Sequence, residues 1–457
     1  LRLLVLNARL ITMAEPTGSL PAYVENGWMH VVDGRIAALG DGEPIWDPDA
    51  EVLDVAGSFV APGFVSSHSH LFTSGARGLG VDQTLYGWCS AMFSLLNHAT
   101  PDEFYWCTLH GSLDYIGNGV TSAFDFTDPR IPWQDMVDGQ RSAVAPLRPI
   151  EHQLRQIDGK IDSGIRFVNA TGLDDAIGTD DEILDRLGEV VEYSARLDPE
   201  RMLGAAISGS VQWSQRSDAA ELEVRAMRRF GIINQAHFLE TREEVELQRA
   251  KFALYRDAGA LGPHLIFGHF IQTTPEIIAE AAAGGSGMSW QPGSNGRLAS
   301  GFADIATMRE QGMTIGVGLD DQACTDISDP WQNMRIGMYS LRAQTGDPLS
   351  MMPEEMLRLH TLGSATVLGI QDRVGSLEVG KFADFLVVDP RKPDIGPLWH
   401  PIRSYVLACG PRNLAAVYIG GRLVNENGAS TNPLAAEASR RLHEFLPRIA
   451  QEHGHPQ

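Results

Sequence analysis

The sequence predicts an α/β protein, a (β/α)8 TIM-like barrel with a small β-sandwich domain built from both termini. Three observations predict it. Between about Ala61 and Ile370, short apolar runs alternate with helical stretches in roughly eight units, the rhythm of a parallel barrel. Both ends of the chain are written instead in short β runs broken by turns. Polar, metal-capable residues also collect where the expected strands stop, and that rim is where barrel active sites are built.

From Leu1 to about Val60 the runs LRLLVLNARLITM, GWMHVVDGRIAALG and AEVLDVAGSFVAPG read as strands, with Asp33-Gly34 marking a tight hairpin. The segments Gly380 to Val388 and Leu414 to Val424 have the same character. Unpaired sheet edges seek partners, so one domain assembled from residues 1–60 and 371–430 is the economical reading. The barrel, residues 61–370, begins with the strand at Phe64-Val65. It continues through Thr121–Phe126, Ile165–Ala170, Leu203–Ser208, Gly231–His237, Leu265–His269, Ser286–Trp290 and Thr314–Asp320. Residues from Trp133 to Gly159 are less regular and read as a loop with a helix over the barrel mouth. The tail, residues 431–457, reads as a helix with a polar end.

The totals exclude several classes. Among 457 residues, 36 Lys and Arg face 58 Asp and Glu, and the formal charge of −22 repels phosphate backbones and anionic membranes. The expected partner is a small-molecule substrate, not nucleic acid or a membrane. Cys89, Cys107, Cys324 and Cys409 show no Cys-x-x-Cys spacing, which argues against a disulfide framework or thiolate zinc site and suits a reducing, cytoplasmic setting. The N-terminal run alternates like a strand and lacks the architecture of a cleavable signal.

The chemistry starts at Pro62 to His70, PGFVSSHSH. On an extended strand His68 and His70 project from one face and can share an ion. Later strand ends supply His237, His269 and Asp320. Three imidazoles, His68, His70 and His237, with the carboxylate of Asp320 make an N/O donor set that suits zinc, iron(II) or manganese. Glu240, three residues after His237, stands where a general acid/base belongs. His264 precedes its strand and is read as structural.

These motifs resemble the amidohydrolase superfamily, in its branch of cytosine, guanine and S-adenosylhomocysteine deaminases and triazine hydrolases. The resemblance runs from GWMHVVDGRIAALG through PGFVSSHSHL, HFLET, IFGHF, QPGSN and GVGLDD to GSLEVGKFADFLVVD. It implies that His68, His70, His237 and Asp320 are metal ligands, with Glu240 a proton shuttle and His269 a catalytic group that orients water or polarises substrate. Asp320 would double as the base. Members with two metals bridge them with a modified lysine, and Leu203 to Trp213 contains no Lys, so one ion per chain is expected, zinc first. Homo-oligomers are common in the superfamily, and one is expected here.

Two departures bear on the substrate. Gln291 stands where many deaminases of the branch carry His, and Gly87 where nucleoside deaminases often carry a ribose-binding Glu before a Trp. Phe72, Trp88, Phe238, Phe270, Trp290 and Trp331, with Gln291 and Asn295, are the expected substrate contacts. The expected reaction is cleavage of a C–N bond, by deamination or comparable displacement, on a small, largely apolar heteroaromatic compound. The alternatives are an aryl amide or phenylurea hydrolase and, behind these, a non-catalytic scaffold relative.

Overall fold

The structure is a computed structural model that describes residues 1–14 and 20–454, so residues 455–457 of the expected tail fall outside it. Eight strands form the barrel: β1 (Phe64–His70), β2 (Val120–Phe126), β3 (Arg166–Gly172), β4 (Met202–Gly209), β5 (Ile233–Phe238), β6 (Leu265–His269), β7 (Gly287–Trp290) and β8, whose two halves are Ile315–Val317 and Asp320–Asp321. They follow one another in sheet order from β1 to β8, with parallel pairing. The first half of β8 pairs with β7 and the second with β1, which closes the ring.

The closure depends on a glycine. A Cβ at Gly318, between the halves of β8, would stand 2.7 Å from His68 Cβ and 2.9 Å from its backbone N and O, so no larger residue fits there without displacing β1. The intervening helices are set by their own caps. Thr179 and Glu182 form a reciprocal capping box at the start of Asp180–Ser194, and Gly231 ends Ala219–Phe230 in the left-handed conformation.

A second, mixed sheet of nine strands draws on both termini. Its hairpin from Tyr23–Val32 to Arg35–Asp41 turns at Asp33-Gly34, both at positive φ, as the dipeptide predicts. Its core includes Leu3, Val5, Val60, Phe385 and Tyr418. The chain divides into two compact units, one of Leu1–Ser67, Leu113–Ser122 and Ser328–Pro433, the other of His68–Ser112, Ala123–Ile327 and Leu434–Gln457. Every side chain of the site described below belongs to the second unit. Among the described residues, no helix is long and apolar enough to cross a membrane.

The irregular stretch after β2 holds a two-residue ladder, Met136–Val137 against Gln140–Arg141, followed by the helix Glu151–Ser163. The tail forms one helix, Ala435–Glu452. Its Leu442, Phe445 and Ile449 pack in one cluster with Trp88, Met92 and Leu96.

Candidate metal centre and active site

Strand geometry brings the histidines together. His68 and His70 share a face of β1, and their Nε2 atoms lie 3.3 Å apart. His70 Nε2 is also 3.0 Å from His237 Nε2 at the end of β5. Asp320 Oδ1 stands 3.5 Å from His68 Nε2 and 3.6 Å from His70 Nε2. His68 Nδ1 donates to Gln235 Oε1 at 2.6 Å, and this leaves the Nε2 lone pair facing the cluster. Burial lowers the pKa of His68 and His237 well below the usual imidazole value and lowers that of His70, where Asp320 opposes it. Uncharged imidazoles converging beside a carboxylate form a donor set that a divalent cation fits.

The backbone is held in an uncommon conformation at the same place. His269 and Asp320 take positive φ, 64° and 66°, at strand ends, which costs each about 1–2 kcal/mol for a residue with a Cβ. Leu239 does the same at 56° and turns the chain between His237 and Glu240, its N–H held by Gln212 Oε1 at 2.7 Å. Glu240 is thereby brought within 3.6 Å of His269 Nε2, and Asp320 Oδ2 lies 3.8 Å from the same atom. Burial raises the Glu240 pKa to about 7, with Asp320 adding to the rise and His269 opposing it. A carboxyl titrating there can carry a proton at neutral pH.

Three residues that motif reading passed over hold the centre in place. Asp125 on β2 accepts the N–H of Leu71, next to His70, and its other oxygen is 2.6 Å from the buried Lys160 Nζ. Asp321 lies beside Asp320, caps the following turn through Ala323 N–H, and has its pKa pushed well above the usual range by burial and then by Asp320. The doubled Asp of GVGLDD was the only sequence signal for it. The 35-residue separation of Asp125 and Lys160 gave none.

Above the cluster lies a cavity of about 1050 Å³, including space open to solvent, lined in part by His70, His237, Glu240, His269 and Asp320. Six of its lining rings form a closed circuit. Centroid separations run 6.1 Å from His70 to Phe72, 6.3 Å to Phe93, 5.7 Å to Trp133, 6.0 Å to Trp213, 5.5 Å to His237 and 5.0 Å back to His70. Such a collar suits a flat ligand.

The model of the amidohydrolase family matches residues 59–424. The chain belongs to that family. Amidohydrolases of this kind are hydrolases acting on C–N bonds, and similar curated relatives carry a deaminase name. The 5-methylthioadenosine/S-adenosylhomocysteine deaminase of Symbiobacterium thermophilum is 28% identical over 96% of this chain and 98% of its own. The protein of the same name from Bacillus cereus strain AH820 is 28% identical over 92% and 93%. Among solved structures, an adenosine deaminase from Xanthomonas campestris with bound zinc has a TM-score of 0.80 at 21% identity, covering 98% of each chain. The atrazine chlorohydrolase of Arthrobacter aurescens TC1 complexed with zinc has a TM-score of 0.83 at 18% identity, covering 97% of this chain and 100% of its own. The two structures share this chain's fold.

The residues expected to touch substrate separate into two groups. Phe72 and Trp88 line the cavity, and Trp88 Nε1 donates to the Ala323 carbonyl at 3.1 Å. Phe238, Phe270, Trp290, Gln291, Asn295 and Trp331 are not among its lining residues. Phe238 follows His237 on the strand, so it projects to the opposite face and packs on Phe252, Tyr255 and Phe267. Phe270 stacks on Phe267 at 4.5 Å, and Trp331 packs against Phe64 and Tyr405. Gln291 and Asn295 brace His269 instead: Gln291 Oε1 accepts the His269 N–H at 2.9 Å, and Asn295 Oδ1 is 3.0 Å from His269 Nδ1. Trp133, Trp213 and Arg141, which the sequence did not single out, do line the cavity.

Proposed function

We propose that this amidohydrolase is a deaminase that releases ammonia from an exocyclic amino group on a heteroaromatic ring, with an adenosine-type nucleoside as its substrate class. The observation carrying the reading is the approach of Glu240 to His269 and Asp320 beside the three-histidine cluster. The names of the relatives favour the adenosine-type ring. We further infer one divalent ion per chain, zinc first and iron(II) or manganese as alternatives, held by His68, His70, His237 and Asp320.

When bound, such an ion supplies Lewis acidity and makes water a nucleophile near neutral pH. The chain's own groups do the rest. Asp320 accepts a proton from the attacking water and passes it to the exocyclic nitrogen, so that the C–N bond breaks and ammonia leaves while Glu240 recovers its proton from the new hydroxyl, which becomes the ring carbonyl. Glu240, protonated below about pH 7, donates to a ring nitrogen as the carbon becomes tetrahedral. His269, whose Nδ1–H donates to Asn295 Oδ1, presents its Nε2 lone pair to accept a hydrogen bond from the attacking water and orient it. The aromatic collar holds the ring flat and keeps bulk water away.

A second reading, hydrolysis of an aryl amide or phenylurea, is favoured by position 87. Gly87 has no side chain to offer ribose, and a Cβ there would meet Gln83 Oε1 at 2.5 Å. Metal-loaded protein offered adenosine, 5′-methylthioadenosine, an aminotriazine, an anilide and a phenylurea separates the two. Ammonia from the nucleosides supports the proposal, and arylamine from the last two with no ammonia from the first three replaces it.

A further inference from the structure

One short helix supplies much of the cavity's apolar wall. Leu85, Trp88, Cys89, Met92 and Phe93, all from Leu85–Leu96, line it at the i, i+3, i+4, i+7 and i+8 spacing of a single helical face. Thr84 at the start of this helix makes no side-chain cap, so packing sets where the helix lies. That packing comes from the far end of the chain.

Leu442, Phe445 and Ile449 of the helix Ala435–Glu452 share one apolar cluster with Trp88, Met92 and Leu96, and Leu446 packs against it. Leu446 also reaches the turn Leu71–Ala76, which follows His70 and carries Phe72. A Cβ on Gly75 in that turn would stand 2.3 Å from Leu446 Cδ1 and 3.5 Å from Leu442 Cδ2, so the leucine seats there because the turn has a glycine. Leu446 thus bears on both elements that bring Phe72 and Phe93 to the aromatic collar. Polar contacts add little to this docking. Arg448 pairs with Glu103, and the Arg441 guanidinium lies 5.6 Å from the Trp106 ring centre, but both arginines are about half exposed. The metal ligands are placed separately by the strands, His70 through its ladder pairing with Asp321.

We propose that Leu446 is a positioning residue for the substrate ring, acting through Phe72, Trp88 and Phe93. By seating on Gly75 and on the cluster beneath Leu85–Leu96, it fixes the spacing between the turn and the helix that a flat ligand must fit. The statement rests on the cavity as the site of a flat substrate and not on the release of ammonia.

The test uses metal-loaded full-length protein as wild type, Leu446→Ala, Leu446→Met and, as a control truncation in the core of the terminal sheet, Leu3→Ala. Calorimetry measures binding of 2-naphthol at a temperature where circular dichroism shows every variant folded. Leu446→Ala is expected to weaken naphthol at least about fivefold, with Leu446→Met recovering most of the loss and Leu3→Ala changing it less than about twofold. Metal affinity, read by competition with a chelator, stays within about twofold of wild type in all of them. Unchanged naphthol binding in Leu446→Ala, an equal loss in Leu3→Ala, a parallel loss of metal affinity, or no binding of naphthol to wild type overturns the proposal. If Leu446→Ala does not fold, Leu446→Val takes its place with the same expected order. A second arm follows ammonia release from adenosine, where Leu446→Ala should raise KM and leave kcat nearly unchanged; a loss carried by kcat overturns the proposal. If wild-type protein releases no ammonia, the deaminase reading fails, and the naphthol arm alone decides the role of Leu446.

Discussion

The Nε2 atoms of His70 and His237 stand 3.0 Å apart, and His68 Nε2 approaches His70 from another side at 3.3 Å. Because His68 commits its proton to Gln235 through Nδ1, a single proton on His70 can bridge only one of these contacts. His68 Nε2 is therefore left with its lone pair facing the cluster, and Gln235 is the residue that sets its direction.

Gln235 accordingly tests the centre without touching a ligand atom. Gln235→Leu removes the acceptor for His68 Nδ1–H, and metal affinity should fall about 10–100-fold, read by competition with a chelator. Gln235→Glu keeps an acceptor and should retain most of the affinity. Unchanged affinity in the Leu variant would detach this hydrogen bond from metal binding.

Glu240 is expected to matter for turnover and not for the centre's assembly. Glu240→Gln should lower kcat by about 10²–10⁴-fold while metal content stays at the wild-type level. The wild-type rate should also decline as pH rises past about 7, where the donor loses its proton, and the variant should lack that limb. A fully active variant would remove Glu240 from the proposed role.

A second buried carboxyl gives a prediction about stability. Glu223 accepts from Ser210 N–H, Asn234 Nδ2 and the Tyr255 hydroxyl, and burial raises its pKa to about 7 from the ordinary 4.5 despite those bonds. Its contribution is fully present below about pH 4.5 and is lost progressively as pH climbs to about 7, a change of roughly 2–4 kcal/mol. Glu223→Gln should flatten that part of the pH–stability curve in chemical denaturation. Asn234 Oδ1, buried without a partner, is placed to take the new amide hydrogen after a flip. A curve unchanged in slope would show that Glu223 does not titrate there.

How much could be read from the chain depended on periodicity. The eight strands, the Asp33-Gly34 hairpin and the pairing of His68 with His70 follow from local alternation, and all are present. Phe238, expected to touch substrate, follows the inward-facing His237 on β5 and so faces outward, where it packs on Phe252, Tyr255 and Phe267. Gln291 and Asn295 lie beside His269, and only three-dimensional geometry separates a residue that touches ligand from one that braces its neighbour. Trp133, Trp213 and Arg141 reach the cavity from irregular segments after β2 and β4, which carry no period to place a side chain.

The central claim is metal-dependent C–N hydrolysis at the three-histidine cluster, and metal depletion followed by reconstitution tests it most directly. Wild-type protein should contain about one divalent ion per chain, lose amine or ammonia release when the ion is removed, and regain it on adding zinc, iron(II) or manganese. His237→Ala should bind metal poorly and stay inactive throughout. Full activity in metal-free protein, or in His237→Ala, would contradict the account.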